Sequence, residues 1–209
     1  MNAKQIGPLT GILFVALVIA AFVVGGETPT TDDSAQEIVS FYLDNDSEQS
    51  IASALLALAC VAFLFFLGTL RRALRAAAGD EGGLSTVALL GGLMIVVGAS
   101  IFAGIGFTLG DAADELPPSA VLTLNALNSD LFFPVAVGTA VFNLGLALAI
   151  LRHGGLPRPL GWLALVVGIV GLTPGGFFAF LAMGIVVVWA SVCLVQRAGG
   201  PEPQHTTAP

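Results

Sequence analysis

The sequence predicts an all-α protein: a polytopic membrane helix bundle of six transmembrane helices, with both termini in the cytoplasm and two short external amphipathic helices. Its composition is 56% hydrophobic and only 10% charged, whereas a soluble domain has about 25% charged residues. Several apolar runs reach the roughly 20 residues that cross a hydrocarbon core. A membrane β-barrel would instead show alternating segments of about ten residues, a pattern that is not seen here.

The charged residues sort into two groups along the chain, which is the second observation that supports this fold class. Cytoplasmic loops of membrane proteins carry an excess of Lys and Arg near the helix ends. Six spans place all seven cations inside and eleven of the fourteen acidic residues outside. Five spans would instead leave Arg197 outside. The cations are Lys4, Arg71, Arg72, Arg75, Arg152, Arg158 and Arg197.

The first span follows Lys4, and its apolar core exceeds the 7 to 15 residues of a signal-peptide core, so we predict an uncleaved helix. The last apolar stretch decides the span count, because a single helix over residues 160–196 would reach about 55 Å, too long for one crossing. The segment 173–176 (TPGG) supplies the break. The predicted spans cover residues 6–24, 51–70, 84–109, 131–151, 159–172 and 177–196, within one domain over residues 1–197 that a disordered cytoplasmic tail, 198–209, follows.

The first predicted external loop, residues 27–50, holds seven acidic residues and no Lys or Arg. Ser34 followed by Glu37 is a capping box, which favours a helix start. Ile38, Phe41 and Tyr42 then form an apolar stripe at helical spacing. We therefore predict a short helix over residues 35–44, with Phe41 and Tyr42 at least partly buried.

The second predicted external loop, residues 110–130, repeats this plan. Two prolines at 117 and 118 suit a helix start, and we predict a helix over about residues 119–127. Its apolar stripe is Val121, Leu124 and Leu127. We expect the two short helices to form a cap over the outer end of the bundle.

Within the predicted spans, Asn143 is the polar residue that most invites a function, since Thr139 lies one turn before it. One interpretation is an interhelical hydrogen bond worth roughly 1 kcal/mol. The other is a polar step on a solute path. No ionisable residue lies in the middle of a span, and no zinc, nucleotide or hydrolase motif occurs, so we predict no enzyme activity and no cofactor.

The external carboxylates allow two interpretations. They are solvated charges that keep the loops outside, or ligands of a divalent cation that bridges the two loops. The first triplet lacks the glycine and the terminal glutamate of an EF-hand loop, so the cation site is only a weak candidate and we assign no metal site. The candidate residues are Asp44, Asp46, Glu48, Asp111, Asp114 and Glu115, with Asp130 on the same side.

Two segments carry a resemblance to a known group of proteins. The first has the pattern S-x-x-E-I-x-x-F/Y-Y after a first span, and the second has L-P-x-x-L-G-W before a late span. These patterns resemble those of small multi-pass integral membrane proteins of actinobacterial type, a group of unknown function. The resemblance implies a fold and a bacterial membrane location, and no catalytic residues. The residues are Ser34, Glu37, Ile38, Phe41 and Tyr42, then Leu156, Pro157, Leu160, Gly161 and Trp162.

Together these observations predict a multi-pass plasma-membrane protein that acts by interaction, presenting its acidic cap to an envelope or membrane partner, with lipid as its surroundings. There is no nucleic-acid footprint, and the oligomeric state stays open. The alternative is a small-solute transporter or channel-like protein with a path near Asn143, since transporters place discontinuous helices at their sites. A polar cavity beside Asn143 would favour transport, and a dry, close-packed bundle would favour interaction.

Overall fold

The computed structural model describes residues 3–79 and 82–198, and within these residues it consists of α-helices and no strand. The predicted tail lies outside the described residues except for Ala198, which ends the last helix. The helices are α1 (Ala3–Gly25), α2 (Ala35–Asp44), α3 (Asp46–Ala78), α4 (Gly83–Asp111), α5 (Pro118–Asp130), α6 (Phe132–His153), α7 (Arg158–Gly171) and α8 (Gly176–Ala198).

Five helical segments are long and apolar enough to cross a membrane. One of them joins α5 to α6 across Leu131. Helix α7 is apolar too, but its 14 residues reach only about 21 Å, less than a hydrocarbon core of about 30 Å. The chain is therefore a multi-pass helical membrane protein. The five segments are Ile6–Gly25, Asp46–Ala78, Gly83–Asp111, Pro118–His153 and Gly176–Ala198.

Helix α3 is much longer than its apolar run. It begins at Asp46 rather than at residue 51 and continues to Ala78, so its 33 residues extend about 50 Å. Gln49 in its second turn is buried and donates from Nε2 to the carbonyl oxygen of Gly25 at 2.7 Å. This bond satisfies a buried polar side chain in the part of α3 that precedes the apolar residues of the predicted span.

Helix α6 is the centre of the bundle and packs against α4, α7 and α8. Its contact with α4 is made by glycines at which the two backbones nearly touch. A Cβ on Gly138 would lie 2.8 Å from the nitrogen of Ile95, and one on Gly145 would lie 2.6 Å from the nitrogen of Ala88. Such close approach increases van der Waals contact, which is the main attraction between helices in lipid.

An aromatic cluster joins α1, α3 and α6 inside the bundle. The ring of Phe63 lies 4.4 Å from that of Phe14 and 5.7 Å from that of Phe142, measured between centroids. All three side chains are buried. Large apolar side chains such as Phe65 and Phe178 cover the outside of the bundle and are mostly exposed, as expected for a surface that faces lipid.

The two ends of the bundle differ in character. Helices α2 and α5 pack on each other at one end. We call the two segments that contain them, residues 27–50 and 111–130, the cap segments or together the cap, and this end the cap end. At the other end, Arg197 donates to the carbonyl oxygen of Gly155, and a Cβ on Gly155 would lie 2.6 Å from the Cβ of Ala77. The last turns of α3 and α8 thus meet the α6–α7 connection, and we call this the arginine end.

Candidate functional site beneath the cap

Helix α2 begins with the predicted capping box. The Ser34 hydroxyl oxygen accepts from the backbone nitrogen of Glu37 at 3.3 Å, and the Ser34 nitrogen donates to the Glu37 carboxylate at 3.0 Å. The hydrogen bonds that the Ser34 side chain and backbone donate to this carboxylate lower the pKa of Glu37. The predicted boundaries of α2, residues 35–44, are confirmed.

Tyr42 fastens α2 to α5. Its side chain is 1% exposed, and its hydroxyl donates to Oδ1 of Asn125 at 2.7 Å. Burial raises the pKa of Tyr42 to about 12. Phe41 is half-buried, and its ring lies 5.3 Å from that of Tyr42. The prediction that both aromatic side chains are at least partly buried is confirmed.

Helix α5 turns a different face inward from the one predicted. Of the predicted stripe only Val121 is buried, and Leu127 is 48% exposed. The buried residues are Val121, Asn125 and Asn128. Successive residues of a helix are 100° apart around its axis, so these three residues lie within an arc of about 60°. Positions 121, 124 and 127 spread over an arc of about 120°. The predicted stripe is therefore right for Val121 and for Leu124, which packs against the same apolar cluster, and wrong for Leu127, because the inward face also includes Asn125, the partner of Tyr42.

A small cavity lies beneath the cap, between the end of α1, the start of α3, and helices α4 and α5. Its volume is about 100 Å³. We call it the subcap cavity. Its lining combines apolar side chains with polar but uncharged ones. The polar lining residues are Thr28, Gln49, Ser53 and Asn128, and the large apolar ones are Phe22, Leu56 and Phe102.

Two side-chain amide atoms of α5 are buried without a hydrogen-bond partner among the described residues. They are Oδ1 of Asn128, whose side chain is 8% exposed and lines the subcap cavity, and Nδ2 of Asn125. A buried polar atom without a partner is costly, so such atoms usually meet water or a ligand. A cavity of this size has room for several waters or for one small polar group.

The subcap cavity was not predicted from the sequence. Its lining residues Gln49, Ser53 and Asn128, and Asn125 on the same face of α5, all fall in segments that were interpreted as loop, cap or span. A signal was present, because Val121, Asn125 and Asn128 recur at i, i+4 and i+7 and share one helix face. The partners of that face lie far away in the chain, so the spacing alone did not reveal its direction.

Thr139 and Asn143 lie in the middle of α6, and both side chains are fully buried. Nδ2 of Asn143 donates to the Thr139 carbonyl oxygen at 2.9 Å. This hydrogen bond lies within α6 and not between helices. Oδ1 of Asn143 and Oγ1 of Thr139 have no partner in the described part of the chain, and neither residue lines the subcap cavity. The packing around Asn143 is closed.

The carboxylates of the two cap segments are all exposed. In residues 3–79 and 82–198, no three His, Cys, Asp or Glu side chains lie close enough together to hold a metal ion. We therefore propose no cation that bridges the two cap segments. The exposed acidic residues are Glu27, Asp32, Asp33, Glu37, Asp44, Asp46, Glu48, Asp111, Asp114, Glu115 and Asp130.

The fold and the site define the class of protein, a multi-pass helical membrane protein with a folded acidic cap at one end. No protein-family model, curated protein or solved structure matches the chain. The resemblance to small actinobacterial membrane proteins therefore stays a prediction from its motifs.

Proposed function

We propose that the chain crosses the plasma membrane six times, with the cap outside and both termini in the cytoplasm. Whether the short helix α7 crosses the membrane decides between five and six crossings. A Cβ on Gly176 would lie 2.9 Å from the Cβ of Ala136, and Ala136 is only four residues, about 6 Å, from the cap-end start of α6 at Phe132. The turn between α7 and α8 thus comes close to the cap end, which supports a sixth crossing.

The distribution of charge supports the same orientation. Arg197 and Arg75 lie at the arginine end, where Arg75 closes α3 and Arg197 closes α8. The cap segments, residues 27–50 and 111–130, contain eleven acidic residues and no Lys or Arg. An excess of cations beside the helix ends marks the cytoplasmic side of a bacterial membrane protein, so the cap faces outward in this arrangement.

The function we propose is interaction: a non-catalytic membrane protein whose acidic external cap binds a positively charged surface of an envelope or membrane partner. One observation carries this proposal. All eleven carboxylates of the cap are exposed, while Ile38, Tyr42 and Val121 bury the opposite face against the bundle. The negative charge is therefore held on a folded platform, and such a field attracts and orients a basic partner.

The test is capture of partners from native membranes by the full-length protein. A variant that neutralises one edge of the cap, Asp44→Asn, Asp46→Asn and Glu48→Gln, is compared with a matched control that keeps the charge, Asp44→Glu, Asp46→Glu and Glu48→Asp. We expect the wild type and the control to retain the same partner at low salt and the neutral variant to lose it. Raising the salt to 1 M shortens the screening length to about 3 Å and should release the partner.

The outcome that contradicts the proposal is a partner that the neutral variant retains in 1 M salt. The alternative function, transport along a path near Asn143, has less support. The site that a solute would use is closed, and the subcap cavity ends among residues of α1, α3, α4 and α5.

A further inference from the structure

A deep apolar groove runs between α1 and α8. Its volume is about 510 Å³. Phe14, Val18 and Met183 form a buried floor, and Gly184 leaves the hollow open because it has no side chain. Every other residue in the lining is apolar. In a bilayer this groove is filled, either by lipid or by another helix.

The extent of the groove favours a lipid chain over a helix. On α1 it runs from Phe14 to Phe22, and on α8 from Phe180 to Trp189. These eight and nine residue steps correspond to about 12 and 14 Å. That is about half of a 30 Å hydrocarbon core, whereas a transmembrane partner helix would pack along most of it. The groove occupies the half nearer the cap, since Phe22 and Phe180 lie towards the cap ends of α1 and α8.

The rim of the groove indicates which head group is preferred. Phe22 lines both the groove and the subcap cavity, where Thr28, Gln49 and Asn128 provide uncharged hydrogen-bonding groups. The eleven cap carboxylates lie at this same end of the bundle, and the two cap segments supply no cation. An anionic head group would be repelled there, because like charges at an interface are unfavourable. An uncharged head with hydroxyl groups would pair with these side chains.

We propose that the groove binds one acyl chain of a lipid from the cap-side leaflet, and that a hydroxyl group of this lipid's uncharged head reaches into the subcap cavity. There it donates to Oδ1 of Asn128, the buried acceptor that has no partner among the described residues. This site goes beyond the proposed role of the cap. It depends on the proposed topology only for naming its leaflet as the outer one.

The test is native mass spectrometry of the full-length protein in a polyoxyethylene detergent. Equal amounts of monogalactosyl diacylglycerol and phosphatidylglycerol, with identical acyl chains, are added. We expect about tenfold more galactolipid adduct, a ratio that corresponds to about 1.4 kcal/mol. Equal adducts, or more phosphatidylglycerol, would overturn the assignment of the head group.

Two variants separate the groove from the general lipid surface. In Gly184→Leu the new side chain fills the groove. Its Cβ would lie 3.6 Å from Val15, an ordinary contact, so the protein should fold. We expect it to lose both the galactolipid and the phosphatidylglycerol adduct. The matched control is Gly104→Leu, because nothing lies within 4 Å of a Cβ at Gly104. Gly184→Ala gives a smaller change should Gly184→Leu not fold, and it should lower the adduct several-fold.

Asn128→Leu tests the head-group contact. It should reduce the preference for galactolipid while phosphatidylglycerol binding stays as it was. If Gly184→Leu changes the oligomeric state and leaves the lipid adducts intact, the groove is a helix contact and the proposal is wrong. The result is independent of the partner-capture experiment, because Gly184 belongs to α8 and the neutralised carboxylates belong to the cap.

Discussion

Replacing Tyr42 by phenylalanine should weaken the attachment of α2 to α5. The substitution keeps the ring, and with it the packing against Ile38 and Val121, and removes only the hydroxyl that donates to Asn125 at 2.7 Å. Oδ1 of Asn125 then becomes a buried acceptor without a donor, beside an Nδ2 that has no partner among the described residues. Leaving a buried group unpaired costs about 1 to 3 kcal/mol.

The assay is hydrogen exchange of the α2 amides, which reports the free energy of local opening. A loss of about 1 to 2 kcal/mol raises the population of the open form about 5- to 30-fold, and exchange should accelerate by that factor. The matched control is Thr123→Val, which removes an exposed hydroxyl from α5 and should change the opening free energy by less than about 0.5 kcal/mol.

A double-mutant cycle separates the hydrogen bond from packing. Asn125→Leu alone leaves the Tyr42 hydroxyl without an acceptor, so we expect a similar loss. In the double variant both polar partners are gone, and apolar replacement of both is close to neutral. The two single effects should therefore not add, with a coupling of about 1 kcal/mol or more. Additive effects, or unchanged exchange in Tyr42→Phe, would refute the docking contact.

Three further outcomes follow from the structure. Gly91→Ala should destabilise the bundle in detergent by more than about 1 kcal/mol, because the new Cβ overlaps the backbone of Phe142. The control Gly104→Ala should be neutral or stabilising. Equal melting temperatures of the two variants would contradict the close packing of α4 and α6. Tyr42 is the single tyrosine, so a spectroscopic titration should give a pKa of about 12. The pKa of tyrosine in the unfolded chain is about 10. The contribution of buried Tyr42 to the free energy of unfolding is therefore complete below about pH 10 and is lost as the pH rises through about 12. A titration midpoint at about pH 10 would show instead that the ring is exposed. Millimolar Ca²⁺ should leave the melting temperature unchanged, and an upward shift would reveal a cation bridge.

Local signals in the sequence predicted part of the cap correctly. The start of α2 followed from Ser34 and Glu37, because a capping box is complete within four residues. The burial of Tyr42 followed from helical spacing alone. In both cases the groups that decide the outcome lie close together in the chain.

Long-range contacts explain what the sequence did not predict. The inward face of α5 depends on a hydrogen bond between residues that are 83 positions apart. The early start of α3 depends on the bond from Gln49 to Gly25. The subcap cavity is formed where four helices meet, so the spacing of residues within any one of them does not reveal it. Asn143 was recognised as a polar residue within a span, but its bond within α6 depends on the rotamer of its side chain.

The proposed six-span topology is tested most directly by measuring which side of the membrane each connection between spans faces. Reporter fusions at positions 46, 78, 125 and 155 sample the segments between predicted spans, and a fusion at position 205 samples the C-terminal side. Thiol labelling of Gly175→Cys, in a protein with Cys60 and Cys193 replaced, samples the α7–α8 turn. Six crossings predict external signals at 46, 125 and 175 and cytoplasmic signals at 78, 155 and 205. An external signal at 155 or 205, or an introduced thiol at position 175 that reacts only from the cytoplasm, would contradict six crossings.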